Sequence, residues 1–211
     1  MTDSSMIGSA PRRIDGRRKV TGAALYASDH HLPNMVYGYG VFSTIASGKI
    51  TSLTLEAARS SPGVLDVFHH GNFPSLYHNS ALPMSFAQIL KAAKSDESRL
   101  PFEDETIYYA GQFVALVVAD TFEHARAAAY KVQVSYAKAA SVANLNQGLN
   151  AGKLQDGSPE HIRGDASAAF ASAAHSIDTT YTTPVETHNP MEMHATVASW
   201  EDGRLIVYEA T

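Results

Sequence analysis

The chain has 211 residues, of which 45% are hydrophobic and 18% charged, so it holds enough apolar material for one or two packed cores of a soluble globular protein. A net charge of -5 argues against a nucleic-acid partner, and the lack of cysteine excludes a disulfide framework, a thiolate metal site and a thiol nucleophile. The longest apolar run, FVALVVA at 113–119, is too short to span a membrane, and no apolar run follows the N-terminal arginine pairs as it would in a secretory signal.

The first half of the chain predicts a strand, helix and strand in succession after a polar arm at residues 1–16. VYGYGVFSTI at 36–45 is rich in β-branched and aromatic residues, and its alternate glycines suit a strand with one face closely approached by another element. KITSLTL at 49–55 alternates as a second strand. EAARSS then predicts a short helix that Pro62 and Gly63 end, and VLDVF returns as a strand.

The same pattern recurs at 113–136. FVALVVA predicts a buried strand, Asp120 and Glu123 resemble a capping box, and VQVSY predicts another strand after the helix. Helices between strands indicate crossovers in an α/β layer, although sequence alone leaves the strand directions open. The irregular segment between the two units predicts a long surface excursion, and Gly111 predicts a tight turn with positive φ before the buried strand.

A second region follows a linker. Residues 138–164 turn to Ala, Asn, Gln and Gly without a sustained period, which is typical of a linker. DASAAFASAA predicts a helix, IDTTYTT a strand, and MHATVASW and RLIVYEA the two strands of a hairpin around Asp202-Gly203. So few strands bury too little to stand alone, and we expect residues 165–211 to be the start of a larger domain.

The stretch HNPMEMHATVASW at 188–200 contains the candidate metal ligands His188, Glu192 and His194. Pro190 excludes a helical HExxH site, but side chains on one face of an extended chain would permit a two-histidine, one-carboxylate iron site. The alternative is an Asn-Pro turn that leads into a hairpin, with Glu192 and His194 hydrogen-bonded to backbone. The iron hypothesis predicts stoichiometric iron that Glu192→Ala would abolish.

The other histidines, at 30–31, 69–70, 78, 124, 161 and 175, have no recurring spacing, so we expect them to be solvated. There is no G-x-S-x-G elbow, and GSAPRR at 8–13 lacks the strand and helix that a phosphate loop needs. Nothing in these patterns favours nucleophilic hydrolysis or nucleotide binding.

Five segments occur in one order across nearly the whole chain: RRIDGRRKVTGAALYASD, SSPGVLDVF, YYAGQFVALVVADTFEHARAAAYKVQVSY, GDASAAFASA and HNPMEMHATVASWEDGRLIVYEAT. Their order and spacing resemble the N-terminal part of the molybdenum-binding large subunit of the xanthine dehydrogenase and aldehyde oxidase family. VYGYGVFSTIASGKITSL is similar to the bacterial aldehyde dehydrogenase branch of that family.

The resemblance implies an α/β (α+β) fold. Residues 1–16 would be an arm, 17–137 an α/β hammerhead domain with a mixed sheet and short crossover helices, 138–164 a linker, and 165–211 the truncated start of the molybdopterin-binding domain. The implied activity is oxidative hydroxylation of an aldehyde or N-heterocycle at a molybdenum centre held by the pterin. Iron–sulfur clusters and often FAD on partner chains or domains would carry the electrons away.

The family's stretch M-E-P-H reads M-E-M-H here, with Met193 in place of the proline. The resemblance therefore implies that Glu192 and His194, with His188 nearby, help to build the first hairpin of the cofactor domain and do not ligate metal. The family's glutamine, Gly-rich loop and glutamate base would follow Thr211, so the implied catalytic and cofactor-binding residues lie outside this chain.

Two functional hypotheses follow. In the first, the chain is an inactive piece of the enzyme that works only with the remainder of the large subunit and with iron–sulfur and FAD subunits. It would then be a truncated gene product, a separately encoded or cleaved fragment, or a product of recombinant expression. In the second, it is a stand-alone interaction module that binds partner subunits. We expect a cytoplasmic location by default, or a periplasmic one through a partner subunit's signal.

Overall fold

The computed structural model describes residues 8, 10–73, 100–151, 163–190 and 192–209 of the 211-residue chain. By their contacts the residues group into two compact units, which we call the central unit (Met35–Glu160) and the terminal unit (Met1–Asn34 with His161–Thr211). The grouping assigns residues 17–34, which we expected in the first domain, to the terminal unit. The domain boundaries at 16, 137 and 164 stay a prediction.

The elements of the central unit in chain order are β1 (Tyr37–Phe42), β2 (Gly48–Thr54), α2 (Glu56–Arg59), β3 (Val64–His69), β4 (Thr106–Ile107), β5 (Phe113–Ala119), α3 (Phe122–Ala129), β6 (Gln133–Lys138) and α4 (Leu145–Ala151). The strands form two three-stranded sheets, in the orders β1-β5-β3 and β4-β2-β6. The predicted strands and both predicted helices of this region are present. The predicted linker contains α4, which its composition did not indicate.

The α+β class is confirmed, but the mixed sheet that we expected is wrong for the described residues, where every strand pair is antiparallel. The strands are antiparallel because each helix connects a strand of one sheet to a strand of the other. Helix α2 connects β2 of one sheet to β3 of the other, and α3 connects β5 of one sheet to β6 of the other. A helix that changes sheet does not require parallel neighbours, as a crossover within one sheet would.

Helices α2 and α3 of the central unit begin and end for local reasons. Helix α3 is capped by Thr121, whose Oγ1 accepts from the backbone N–H of His124 at 3.2 Å. The predicted cap, Asp120, instead accepts from Nδ1 of His124 at 2.6 Å. Helix α2 ends before Gly63, whose φ of +73° favours glycine, and a Cβ there would overlap the Asp120 and His124 side chains.

Two clusters of buried side chains form the core of the central unit. One packs α2 and α3 against the sheet that contains β3 and β5; its buried members are Leu55, Ala58, Val67, Ala115, Val117, Ala128 and Ala129. The other joins both sheets through Ile45, Ile50, Ile107 and Val114. Alanines on the buried side of α3 allow the helix to lie close to the sheet, because their side chains are short.

The terminal unit is built from α1 (Gly16–Val20), a 3-10 helix (Ala27–Asp29), α5 (Ala166–Ser172), β7 (Thr196–Glu201) and β8 (Arg204–Glu209). The two strands form the predicted hairpin, and Asp202 (φ 49°) and Gly203 (φ 76°) both adopt the positive φ that a two-residue turn of type I′ requires. Ala27 is the one buried apolar residue among the described residues of this unit.

The predicted strand IDTTYTT at 177–183 is wrong. These residues form neither helix nor strand, and Ile177 and Tyr181 are almost fully exposed. Alternation alone does not make a strand, since a strand also needs a neighbour to complete its hydrogen bonds, and no described strand pairs with this segment.

Most of the long excursion, residues 74–99, and half of the N-terminal arm, residues 1–7 and 9, lie outside the described residues. Gly111 has the predicted positive φ (88°), and its N–H donates to the carbonyl of Ser43 at 2.9 Å. In the described part of the chain, no helix has both the length and the apolar character needed to cross a bilayer.

Candidate functional site

The three candidate ligands lie in an irregular stretch of the terminal unit, just before β7. His188 and His194 are exposed, and Glu192 is half-buried. Asn189 donates from Nδ2 to the carbonyl and the hydroxyl of Thr187, at 3.3 and 3.0 Å. Residues 184–190 form neither a turn nor a bend, so the Asn-Pro turn considered from the sequence is not seen there. Met191 lies outside the described residues. Glu192 therefore differs from the two histidines in its exposure to solvent.

Glu192 has a definite partner far away in sequence. Its Oε1 accepts from the backbone N–H of Ala27 at 3.3 Å, and Ala27 opens the 3-10 helix. The carboxylate of Asp29 accepts a hydrogen bond from the backbone N–H of Tyr26, the residue before Ala27, at 2.9 Å. The first N–H groups of a helix have no partner within the helix, so two carboxylates complete its start. One of them comes from the hairpin side of the unit.

A ring contact joins the same two parts of the chain. His30 stacks on Tyr208 of β8, with ring centroids 3.8 Å apart and an interplanar angle of 18°. Our expectation that His30 is solvated was therefore wrong. Together the Ala27–Glu192 hydrogen bond and the His30–Tyr208 stack hold residues 26–30 against the hairpin, and no spacing within the sequence indicated this contact.

The described residues do not support the iron hypothesis. His188, Glu192 and His194 are all described, and no group of three or more potential ligands is close enough to hold a metal in that part of the chain. In the described terminal unit no buried polar side-chain atom lacks a hydrogen-bond partner, which a cofactor cradle would leave behind. A molybdenum cofactor therefore does not fit the described residues by themselves.

Titratable groups that the sequence did not single out form clusters in the central unit. The largest influence on the pKa of His69 is partial burial, which lowers it, and neighbouring His70 and Arg59 lower it further. Nδ1 of His69 accepts from the N–H of Gly71 at 3.1 Å. These residues were expected to be solvated, and a polar H-H-G-N turn gives no sequence signal of burial.

A second cluster joins β1 to the end of α3. A hydrogen bond between the two phenols raises the pKa of Tyr39 and lowers that of Tyr130, and the guanidinium of Arg126 lowers the pKa of Tyr130 further. The Cζ of Arg126 lies 5.9 Å from the Tyr130 ring centroid. These pKa directions mean that Tyr130 loses its proton before Tyr39 as the pH rises.

Two family models match the chain. "Aldehyde oxidase and xanthine dehydrogenase, a/b hammerhead domain" covers residues 21–140, and "Molybdopterin cofactor-binding domain" covers residues 152–211. Both stretches lie in the order implied by the sequence segments quoted above. The second stretch contains His188, Glu192 and His194.

Curated relatives match over nearly the full chain. The aldehyde oxidoreductase molybdenum-binding subunit PaoC of Escherichia coli K12 is 40% identical over 208 residues, which are 96% of this chain and 26% of the relative. The xanthine dehydrogenase of Emericella nidulans is 28% identical over 211 residues, which are 98% of this chain and 14% of the relative. The chain thus spans about a quarter, or less, of the length of these curated relatives.

Solved structures show the same fold. Quinoline 2-oxidoreductase from Pseudomonas putida 86 superposes with a TM-score of 0.71 at 22% identity, over 95% of this chain and 26% of that one. The aldehyde oxidoreductase from Desulfovibrio desulfuricans superposes with a TM-score of 0.57 at 20% identity, over 82% of this chain and 20% of that one. At these identities the likeness establishes the fold alone.

Proposed function

Because this chain belongs to the aldehyde oxidase and xanthine dehydrogenase family, we propose that it forms the N-terminal part of the large subunit of a molybdenum hydroxylase. The observation that carries the proposal is the succession of two matched domains, a hammerhead domain and then a molybdopterin cofactor-binding domain, within one chain. One matched domain alone would support the fold. Two in order support the architecture of the enzyme.

The proposed activity is oxidative hydroxylation of an aldehyde or an N-heterocycle. A bound molybdopterin would supply the two-electron redox chemistry, and the protein would supply binding, orientation and electrostatics. The central unit would be the hammerhead. Glu192 would hold the segment at 26–30 against the first hairpin of the cofactor domain, and would be a positioning residue.

The proposed partners follow from the same assignment. The relative PaoC is described as a molybdenum-binding subunit, which supports an assembly of several chains. We assign the electron transfer to iron–sulfur and FAD chains, and the cofactor pocket to the remainder of the large subunit.

A second candidate function is an interaction module that binds partner subunits without catalysis. The observation in its favour is the outer face of the hairpin, where Trp200, Leu205 and Val207 are 74%, 53% and 46% exposed. Trp200 and Leu205 are cross-strand neighbours, so the three side chains form one apolar face. Such a face is typical of an interaction surface.

The two candidates are separated by purifying the chain from its native host through a tag on its own gene. The enzyme proposal predicts that molybdenum and pterin are recovered in stoichiometric amounts with the tagged polypeptide, and that the preparation reduces a dye in the presence of an aldehyde or N-heterocycle. Recovery of a 22.7 kDa chain with partner subunits but without molybdenum, pterin or dye reduction would contradict it and favour the interaction module.

A further inference from the structure

Two tyrosines of the central unit bring their rings together where α3 ends. Tyr39 lies in β1, and Tyr130 directly follows α3. Their ring centroids are 6.1 Å apart, with an interplanar angle of 51°. The chain has ten tyrosines, and among the described residues this is the one pair of tyrosines whose rings contact each other. The fold therefore creates a pair that the sequence does not show.

The two rings meet at their phenol ends. A hydrogen bond joins the hydroxyls, and it raises the pKa of Tyr39 while it lowers the pKa of Tyr130. Opposite pKa directions mean that Tyr39 donates this bond and Tyr130 accepts it. In a tyrosyl radical the unpaired electron is shared between the oxygen and the ring carbons beside the C–O carbon. The hydrogen bond therefore brings together the ends of the rings that react in a radical coupling.

The surroundings make Tyr130 the more readily oxidised member of the pair. Its side chain is 70% exposed, whereas Tyr39 is half-buried and packs against Phe122 with ring centroids 5.7 Å apart. The Cζ of Arg126 lies 5.9 Å from the Tyr130 ring centroid, and this cation lowers the pKa of Tyr130 further. A phenolate loses an electron more readily than a neutral phenol. An oxidant in solution would thus react first at Tyr130, with Tyr39 beside it.

A covalent bond at this contact would constrain most of the central unit. Strands β2 to β5 and both helices between them lie between Tyr39 and Tyr130 in the chain. The chain has no cysteine, so no disulfide can close this loop. A cross-link that closes a long loop restricts the unfolded chain and so favours the folded one. Unlike a disulfide, a carbon–carbon bond is not cleaved by thiols.

We propose that Tyr39 and Tyr130 form an oxidative modification site, at which a haem peroxidase and hydrogen peroxide join them as dityrosine. Each phenol gives one electron to the oxidised haem and its O–H proton to water. The two radicals form one bond between ring carbons beside the C–O carbons. The hydrogens on these carbons leave as protons, and both oxygens take up a proton again. The pair thus loses two electrons and two protons, which reduce the peroxide to two molecules of water.

This site goes beyond the proposed function, because neither molybdenum nor a hydroxylated substrate takes part in the coupling. The test treats the 211-residue chain, in dilute solution, with a haem peroxidase and hydrogen peroxide. Mass spectrometry should show a monomer that is lighter by two hydrogen atoms, and the product should have the blue fluorescence of dityrosine. Its yield should not depend on protein concentration, whereas cross-links between molecules become more frequent as the concentration rises.

Trypsin digestion locates the bond. Cleavage after Arg126 and Lys131 releases the peptide 127–131, in which Tyr130 is the single tyrosine. Cleavage after Lys19 and Lys49 releases the peptide 20–49, which contains Tyr39. The modified chain should yield these two peptides joined to each other, and fragmentation of the joined peptides should place the bond at residues 39 and 130.

Phenylalanine variants test the pair. Tyr39→Phe and Tyr130→Phe should each abolish the intramolecular product. Tyr37→Phe is the matched control, because Tyr37 lies in the same strand and the same tryptic peptide but makes no ring contact with Tyr130 among the described residues. It should give the product in full yield. Since Tyr130 is 70% exposed, Tyr130→Phe should fold as the unchanged chain does, which circular dichroism checks.

Arg126→Gln tests the positioning role of the guanidinium. Without this cation Tyr130 loses its proton at a higher pH, so the pH profile of the cross-linking rate should move to higher pH. A residue with a structural role alone would change the yield and leave the profile in place. In the unchanged chain, the cross-linked product should also unfold at a higher urea concentration than the untreated protein.

Three results would overturn the proposal. The first is a product that forms only between molecules, with a yield that rises with protein concentration. The second is an intramolecular bond to the peptide 127–131 that persists in Tyr39→Phe, which would give Tyr130 another partner. The third is an equal yield of the intramolecular product in Tyr37→Phe and Tyr39→Phe.

Discussion

The Glu192 carboxylate shows how a residue chosen for one chemistry serves another. The sequence placed it two residues from His194, which suggested a ligand set, but its partner in the structure is the backbone N–H of Ala27. That contact spans 165 positions in the chain. The spacing of residues in the sequence singled out Glu192 as a candidate functional residue. It could not predict the hydrogen bond to Ala27, because that bond depends on how distant segments pack.

Replacing Glu192 should therefore loosen the segment at 26–30. Glu192→Ala removes the acceptor for the Ala27 N–H and should destabilise this contact by about 0.5–1.5 kcal/mol, with a corresponding acceleration of exchange at that amide. Glu192→Gln keeps an acceptor oxygen and is the matched control. Hydrogen exchange followed by mass spectrometry measures the effect at residue 27. Unchanged exchange in Glu192→Ala would show that the hydrogen bond is not maintained in solution.

His69 gives the chain a dependence on pH. Burial lowers the pKa of His69 from its usual value of 6.5, and protonation at Nδ1 would also remove the acceptor for the Gly71 N–H. The unfolded chain then binds the proton more tightly than the folded chain, so stability is full above about pH 6.5 and declines as the pH falls through the lowered pKa.

We expect the urea midpoint of the chain to fall between about pH 7.5 and 5.5, and to fall less in His69→Asn, which has no proton to bind in this window. Far-UV circular dichroism at several pH values measures it. His175→Asn, at an exposed histidine of the terminal unit, is the control and should follow the unchanged chain. A pH dependence that is the same in His69→Asn would assign the effect to other groups.

At the scale of elements, the glycines of β1 were predictable and the strand directions were not. Alternate glycines predicted a closely approached face, and the structure confirms it: a Cβ on Gly40 would overlap the Phe113 ring and lie 3.0 Å from Cζ of Phe42. A glycine in a strand is a local signal. Whether α2 and α3 return to the same sheet or change sheet depends on long-range pairing, which no local pattern contains.

Gly40→Ala should destabilise the central unit by about 1–2 kcal/mol, because the aromatic rings over it must move to admit a methyl group. Gly38→Ala is the matched control on the same strand. There the new Cβ would lie 3.2 Å from Cδ1 of Leu116, a flexible side-chain end, and the loss should be smaller. Urea unfolding of both variants gives the comparison, and equal losses would contradict the overlap at Gly40.

At the scale of the whole molecule, the two units differ in how much they bury. Both core clusters lie in the central unit, whereas Ala27 alone is buried and apolar among the described residues of the terminal unit. The sequence anticipated this contrast from the small number of strands after residue 165. The sequence also led to the family, because the order of segments along a chain can be read without any knowledge of how they pack.

The chain should therefore unfold in parts. Backbone amides of β7 and β8 should show protection from hydrogen exchange about 100-fold or more below that of β5, since a two-stranded hairpin is marginal by itself and a buried strand opens only with its domain. Site-resolved exchange by nuclear magnetic resonance tests this. Equal protection in both units would mean that the chain unfolds as one cooperative body.

The outer face of the hairpin has an optical consequence. Trp200 is the single tryptophan of the chain, and its indole is 74% exposed. The tryptophan fluorescence of this polypeptide, excited at the long-wavelength edge where its ten tyrosines do not absorb, therefore comes from one known position, in water. Any polypeptide that covers Trp200 and Leu205 moves the indole into an apolar environment and shifts its emission to the blue, so assembly onto this face can be followed without a label, in real time and at low concentration.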